Sequence, residues 1–358
     1  MKQPLINFTI LCYNQEKYIR EAINGAFSQT YSPLDIIISD DCSKDSTFDI
    51  VQQMVGAYKG PHAVRINRNP TNLGLAGNSN KVSAMCRGEL IVGAAGDDIS
   101  LPERVETVVR AWNDSGRKAT SLWSNAIDID AGGRPVRESI GRGLVREQIK
   151  WIHEQGTIAG FLRRRTPHAN GSSNAISRSL ISIFGPLPNT VTYEDTAYSF
   201  RTLLVGGLFT FIDAPLVKYR RHDQNITFAL HQVRPKTVAA FKDFQEKQLC
   251  ELDRFIEVYK CFATDAECAF RQGLISSQDY PNVKSRILRE GRRMELRKQL
   301  LIRGLFRRWA ILGKLYSSSF RPREMLTQVP HLLPRSLHCA AVTARNRIVY
   351  RKQARSTA

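Results

Sequence analysis

Long apolar runs are missing from this chain. No uninterrupted apolar stretch approaches the ~18 residues that a membrane-spanning helix needs. Met1 to Leu5 lead straight into a strand-like segment, with none of the features of a secretion signal, so the expectation is a cytoplasmic protein or one lying on a membrane surface. Cysteine is also sparse. The seven cysteines are odd in number, scattered, and without metal-type spacing, which argues against a disulfide scaffold or a zinc module and for inert thiols in a reducing compartment. There is no internal repeat and no low-complexity tract, which argues against solenoids and linker-rich chains. Acids are few beside bases: 33 Asp and Glu against 52 Lys and Arg, a net charge of +19.

That charge is unevenly placed. From Val283 to the end there are 19 Lys and Arg against three acids, Glu290, Glu295 and Glu324, so +16 belongs to this tail and only +3 to the 282 residues before it. What remains is an ordinary globular composition, 42% hydrophobic and 24% charged, in a chain of 358 residues that is long enough for one large domain and an appendage.

The N-terminal part alternates two periodicities. Ile6–Tyr13 reads as a strand, and Ile19, Ala22, Ile23, Ala26 and Phe27 follow helical spacing. Leu34–Ser39 reads as a strand, then Ile50, Val51, Met54, Val55 and Tyr58 as a helix with Ser43 or Asp45 as its cap. Val64–Asn67 is a third strand, Asn72 to Asn80 starts a third helix, and Glu89 to Ala94 is a fourth strand. Pro102 opens a helix with the stripe Val105, Val108, Val109 and Trp112. Such alternation predicts a mainly parallel sheet sandwiched by helices, an α/β fold of Rossmann-like kind. Beyond Thr120 the pattern is less regular. Leu122–Asp128, Leu208–Asp213 and Leu216–Tyr219 are strand-like, Gly171–Arg178 is small and polar, Arg134 to Thr166 reads as a basic loop with a helix, and Glu194 opens a helix. From about Pro235 onward the chain reads as helical.

Two acidic pairs punctuate the first hundred residues. Asp40-Asp41 and Asp97-Asp98 each end an apolar run and precede a helical pattern. In an open α/β sheet both pairs converge on the carboxyl edge of the strands, where such sheets bind ligands. Carboxylates gathered there suit a cation, a ribose, or both.

The residues around these pairs carry a family likeness. Thr9-Ile10-Leu11-Cys12-Tyr13-Asn14-Gln15-Glu16-Lys17-Tyr18-Ile19, Ser28-Gln29-Thr30-Tyr31 and Ile37-Ile38-Ser39-Asp40-Asp41-Cys42-Ser43-Lys44-Asp45-Ser46-Thr47 resemble the opening of the family 2 glycosyltransferases. The resemblance continues through Asn72-Leu73-Gly74-Leu75-Ala76-Gly77-Asn78 and Gly96-Asp97-Asp98. It returns at Tyr193-Glu194-Asp195 and at Tyr219-Arg220-Arg221-His222-Asp223-Gln224-Asn225-Ile226-Thr227, covering about residues 4–228 in the family's order. It implies a GT-A fold, a nucleotide-sugar donor, and an inverting, metal-dependent transfer of hexosyl type that uses Mg or Mn. It divides the chain into a glycosyltransferase domain over residues 1–230 and a helical, basic extension over residues 231–358.

The same resemblance assigns roles. Leu11 and Tyr13 match positions that contact the nucleobase, and Asp41 matches the carboxylate on base or ribose. Asp98 matches the direct metal ligand, with Asp97 toward ribose or metal. Asp195 matches the catalytic base, and Glu194 is its usual neighbour. His222 lies in a motif whose histidine reaches the diphosphate or the metal in some relatives, and Asn72 lies in a loop that approaches the donor. Many relatives carry a further acid shortly before the metal motif. Here Ala95-Gly96 stand there, which leaves one strong protein ligand and the rest of the shell to phosphate oxygens and water. The chemistry agrees with these roles. Charge builds on the departing diphosphate and suits a cation. The acceptor hydroxyl needs a general base on the opposite face of the sugar. Asp195 sits where a helix dipole favours an anion, and Glu194 beside it repels one.

The tail carries its own expectation. On a helical wheel Leu301, Ile302, Leu305, Phe306, Trp309, Leu312 and Tyr316 share one face, with Arg303, Arg307 and Lys314 opposite. A basic amphipathic helix of this kind reads as a binder of anionic membrane surfaces, and Met325 to Tyr350 extends the pattern. The leading function is therefore transfer of a sugar to a glycan or lipid-linked acceptor in surface polysaccharide biosynthesis, by a protein peripheral on the inner face of the cell membrane. The alternatives are a sugar-phosphate nucleotidyltransferase, which needs a Gly-rich basic loop that Cys12–Lys17 lacks, and a non-catalytic membrane- or nucleic-acid-binding protein. No nucleic-acid module is recognisable, so no specific nucleic-acid partner is expected.

Overall fold

A computed structural model of the chain describes residues 3–136, 157–164, 171–225 and 238–302. Eight strands form one sheet: β1 (Ile6–Cys12), β2 (Asp35–Asp40), β3 (Ala63–Arg68), β4 (Leu90–Ala95), β5 (Ile99–Ser100), β6 (Ala119–Ile129), β7 (Asn174–Ser177) and β8 (Leu208–Arg220). Their order across the sheet is β3-β2-β1-β4-β7-β6-β8-β5. The first four pair in parallel, with Cys12 opposite Asp40 and Leu11 opposite Ala95. β7 runs antiparallel between β4 and β6, and β6 pairs in parallel with β8.

Helices cover this sheet. They are α1 (Ile19–Phe27), α2 (Thr47–Ala57), α3 (Gly74–Met85), α4 (Arg104–Asp114), α5 (Ile158–Arg164), α6 (Arg178–Phe184) and α7 (Glu194–Leu204), with α8 (Val238–Arg271) and α9 (Tyr280–Ile302) following. Being covered on both faces explains why β1 and β2 read as nearly continuous apolar runs: every residue of β2, and every residue of β1 but Leu11, is buried. Ile6, Phe8 and Ile10 of β1 pack in one core with Ile36 and Ile38 of β2, Ile19 and Ile23 of α1, and Val105, Val108 and Trp112 of α4. The N-cap of α2 is Ser46, whose side chain makes no capping bond; Asp45 before it turns the chain into the helix, its Oδ1 accepting the Thr47 backbone N–H at 3.0 Å.

Three features differ from the sequence pattern. Gly171–Arg178, small and polar, is not a plain loop: a 3-10 turn (Gly171–Ser173) leads into β7, whose Asn174, Ala175 and Ile176 are buried at the centre of the sheet. Tertiary burial overrides weak local preference here. The two strand-like runs near the domain's end are one strand, β8, whose pairing with β6 shifts register near Pro215 instead of breaking. The short strand β5, absent from the sequence reading, pairs with β8 directly after Asp97-Asp98.

The chain clusters into two compact units. The first joins Met1–Arg221 with Lys260–Arg286. The second takes His222–Tyr259 and the chain from Ile287 onward; within it Val258, Tyr259, Ile287, Met294 and Leu300 are buried. The helical character expected after Pro235 appears as α8 and α9. Most of the amphipathic segment from Leu301 to Tyr316, all of Met325 to Tyr350, and most of the basic loop between Arg134 and Thr166 lie outside the described residues. Among the described residues no helix is long and apolar enough to cross a membrane.

Candidate active site

The carboxyl ends of β2, β1 and β4 are neighbours, so Asp41, Leu11, Tyr13, Asp97 and Asp98 gather on one edge of the sheet. β1 stands between the two acidic pairs, which sets them about two strand spacings, roughly 10 Å, apart. It also ties both to itself: the Asp41 N–H donates to the Cys12 carbonyl at 2.9 Å, and the Gly96 N–H to the Leu11 carbonyl at 3.0 Å. Gly96 is needed for this approach, since a Cβ there would lie 2.7 Å from the Cys12 Cβ.

Asp41 is buried and held from one side. Its Oδ1 accepts Asn69 Nδ2 at 2.8 Å and the Leu73 backbone N–H at 2.9 Å. Asn69 belongs to a buried amide network in which Asn78 Oδ1 accepts Asn69 Nδ2 at 3.0 Å and Ser39 Oγ at 2.5 Å. Asn72, next to Leu73, is exposed, and its Oδ1 accepts the Gly74 N–H at 2.9 Å. Tyr13 is 42% exposed at the end of β1, available to stack on a flat ligand. Asp40 is fully buried and structural, accepting the Ser43 N–H at 2.9 Å.

Asp97 and Asp98 sit side by side in the turn between β4 and β5, both buried. Burial, with the adjacent Asp97 charge, pushes Asp98 well above the usual carboxylate range. The Arg220 backbone amide and the Ser172 hydroxyl, which both hydrogen-bond to it, and the more distant Arg104 oppose that shift. The Arg220 N–H reaches Asp98 Oδ1 at 2.8 Å. Two adjacent buried acids strained in this way are a donor set that a hard divalent cation would relieve, so these residues fit one. Among the described residues no group of three or more His, Cys, Asp or Glu is arranged to hold a metal ion.

Arg220 has a part in the site that its motif does not reveal. Its side chain is fully buried; Nε donates to the Asp97 carbonyl at 2.9 Å and Nη1 to the Ala131 carbonyl at 3.1 Å. Nη2 pairs with Glu21 at 3.1 Å, and the guanidinium lies 4.8 Å from the Tyr18 ring centroid. Backbone and side chain together clamp the turn that presents Asp97 and Asp98. Arg104, also fully buried, braces the strand beneath, donating to the Gly93 carbonyl at 2.6 Å and the Ser100 hydroxyl at 2.8 Å. Burial lowers it to about 9.

Glu194 and Asp195 open α7. Asp195 Oδ1 accepts the Thr196 N–H at 2.6 Å and Thr196 Oγ1 at 3.2 Å, and Oδ2 accepts the Gly171 N–H at 3.2 Å. Glu194 retains some solvent contact, but its carboxyl is desolvated. Burial and the Asp195 charge push it up to about 8, against backbone amides of Glu194 and Asp195 that favour the anion. A carboxyl raised in this way lessens the charge that Glu194 places beside Asp195. The sign for stability follows: a carboxyl raised from 4.5 to about 8 supports folding fully below 4.5, and that support is lost as pH rises through 8. Glu194→Gln is expected to remove this dependence, so thermal melts should favour the variant more at pH 9 than at pH 5. An unchanged difference between the two pH values would show that Glu194 is ionised throughout.

The Gly171–Ser173 turn draws the two acidic centres together, since Ser172 bonds to Asp98 and Gly171 to Asp195. His222 belongs to the second compact unit. Its backbone N–H donates to Asn225 Oδ1 at 2.6 Å, and its Nε2 lies 3.3 Å from Asn225 Nδ2.

Comparison with known proteins places this architecture. Residues 8–183 match the family described as Glycosyl transferase family 2, a match that stops short of Glu194. The chain is 25% identical over 230 residues to the putative glycosyltransferase EpsH of Bacillus subtilis, covering 63% of each chain, so it spans less than two thirds of that relative. Its fold is similar to that of S. aureus TarS 1–349 (TM-score 0.54, 16% identity, 99% of this chain and 92% of that one). It is also similar to the mannosyltransferase PcManGT of Pyrobaculum calidifontis, solved with GDP-Man and Mn2+ (TM-score 0.51, 15% identity, 96% and 88%). An α/β sheet with acidic pairs on its carboxyl edge, the family match over β1 to α6 and these two folds lead to one conclusion: residues 8–183 match glycosyl transferase family 2, and the chain is built on a GT-A-type fold.

Proposed function

We propose that this protein is an inverting glycosyltransferase that moves a hexosyl group from a nucleotide-sugar to a hydroxyl of a glycan or lipid-linked acceptor in surface polysaccharide biosynthesis. The observation that carries this reading is the pairing of Asp98 and Asp195 through one three-residue turn: a cation-type carboxylate pair and a base-type carboxylate serve one place. Leu11, Tyr13 and Asp41 would seat the nucleoside, with Asn72 at the rim. Asp41 Oδ2 is the oxygen left for a ligand N–H or ribose hydroxyl, because Oδ1 already takes two donors. Asp98, with Asp97 beside it, would hold Mg or Mn, which when bound neutralises charge on the diphosphate. Asp195 takes the acceptor's hydroxyl proton. The acceptor oxygen forms a bond to the anomeric carbon, the bond from that carbon to the phosphate oxygen breaks, and the nucleoside diphosphate leaves with the electron pair. His222 remains a candidate for the diphosphate through the motif alone.

The basic tail gives this chemistry a place. Sixteen of the nineteen net positive charges follow residue 282, which suits an anionic membrane surface on the cytoplasmic side where a lipid-linked acceptor is anchored.

A thermal-shift panel of UDP-, GDP- and dTDP-sugars, with and without Mn2+, tests the donor site. One nucleotide class is expected to raise the melting temperature only with Mn2+, by an amount equivalent to about 2.7 kcal/mol at a hundredfold excess over Kd. Asp98→Ala should abolish that Mn2+-dependent shift. No shift with any of the three would remove the donor site, and with it the transferase reading.

A further inference from the structure

The Gly171–Ser173 turn touches both halves of the site and is too short to absorb slack. Ser172 hydrogen-bonds to Asp98, and the Gly171 N–H reaches Asp195 Oδ2 at 3.2 Å. Consecutive Cα atoms are only about 3.8 Å apart, so these two bonds set the spacing of the carboxylates. The turn is fixed from behind. It runs directly into β7, where Ala175 pairs with Val92 of β4 and Asn174 with Trp123 of β6. The Asn174 carbonyl accepts Arg104 Nη2 at 3.3 Å, the same guanidinium that holds the Gly93 carbonyl. On the other side the turn approaches α7 as closely as a residue without a side chain allows. A Cβ on Gly171 would stand 2.8 Å from Glu194 Oε1 and 3.7 Å from Asp195 Oδ2.

We propose that the Gly171–Ser173 turn is a positioning bridge, through which a nucleotide and cation seated on Asp97 and Asp98 order the base carboxylate of Asp195. This inference rests on the glycosyl-transfer reading. Neither Gly171 nor Ser172 acts on the sugar. Ser172 answers to the occupancy of Asp98, and Gly171 passes its position to Asp195. Occupancy of Asp98 and order at Asp195 are thereby linked.

Hydrogen exchange on the full chain reads this directly, because the amides of Gly171 and Thr196 are both bonded to the Asp195 carboxylate. The probes are Mn2+ with UDP and Mn2+ with GDP. In the wild type, the nucleotide that binds is expected to slow exchange at Asp98 to Ser100 and, with it, at Gly171 and Thr196. In Ser172→Ala the first protection should persist and the second fall at least fivefold, while Ser172→Thr, which keeps the hydroxyl, should retain both. Gly171→Ala should lower kcat at least tenfold with donor KM within twofold of wild type, a split that general destabilisation does not produce. Protection at Thr196 that survives in Ser172→Ala overturns the bridge. Should that variant not fold, the wild type decides: nucleotide bound without slowing of Gly171 and Thr196 overturns it equally. Failure of the underlying reading looks different, since the wild type itself would then bind neither nucleotide.

Discussion

Asp195→Asn is expected to lower transfer by about 10^2–10^4-fold while donor binding stays within a few-fold of wild type. An amide has the shape of the carboxylate but cannot take the acceptor's proton. Its oxygen can still accept the Thr196 N–H and hydroxyl, the two bonds that Oδ1 now receives at 2.6 and 3.2 Å. Only the 3.2 Å bond from Gly171 loses its acceptor, at a cost of order 1 kcal/mol, too little to unseat α7. Binding and chemistry therefore separate. Nucleoside diphosphate release with acceptor present reports the chemistry, and the Mn2+-dependent melting shift reports the binding. Near-full turnover in Asp195→Asn would take the proton transfer away from this residue and leave the acceptor side of the site unassigned.

The second large effect lies two turns further along the same helix. Arg201 and Asp265 are both buried, 1% and 3% exposed, and face each other through two bonds of 2.8 and 3.0 Å. Arg201 also donates to the Gly185 carbonyl at 2.8 Å and lies 5.3 Å from the Phe184 ring centroid. Burial pushes Asp265 up and the arginine opposes it, so the pair stays ionic only because each partner answers the other. Asp265→Ala leaves a guanidinium in the core with no counter-charge. The expected loss is about 3–5 kcal/mol, which in a chain of this size lowers the melting temperature by roughly 5 °C. The double variant Arg201→Met with Asp265→Leu should recover most of it, since neither buried charge then remains. If the double variant melts no higher than Asp265→Ala, volume and not charge governs the position.

This pair also shows what a sequence conceals. Arg201 and Asp265 are 64 residues apart, each on a helix whose own periodicity explains it. A lone arginine on α7 reads as a solvated cation near a helix C-terminus, and nothing local marks it as the partner of an acid in α8. The same holds for the segment Lys260–Arg286. By its place in the chain it belongs with the helical extension, yet it clusters with Met1–Arg221.

The site was legible to different depths. Its acidic pairs stood out because each ends an apolar run on the edge where such sheets bind ligands, and the alternation of strands and helices already brought β2 and β4 to one edge. Arg220 was quoted within a motif but its task was hidden, because a clamp on the Asp97 carbonyl and on Ala131 exists only once β8 lies beside β5 and β6. Gly171–Ser173 is only small and polar in sequence, compatible with shaping an acceptor pocket or with a loop without chemistry. Its meaning comes from what stands opposite, Asp98 on one side and Asp195 on the other. Glu194 and Asp195 look alike in sequence. Only the packed site desolvates Glu194 and raises its carboxyl to about 8.

By itself the sequence determined the alternating α/β architecture, the acids that end its strands and the concentration of positive charge in the tail, since periodicity, turn chemistry and net charge are properties of neighbouring residues. The tertiary structure alone decided that β7 inserts antiparallel into the middle of the sheet, that Arg220 and Arg201 are buried anchors, and that one short turn joins Asp98 to Asp195. Those outcomes depend on which distant groups lose water together, and desolvation is a property of the packed molecule, not of any stretch of chain.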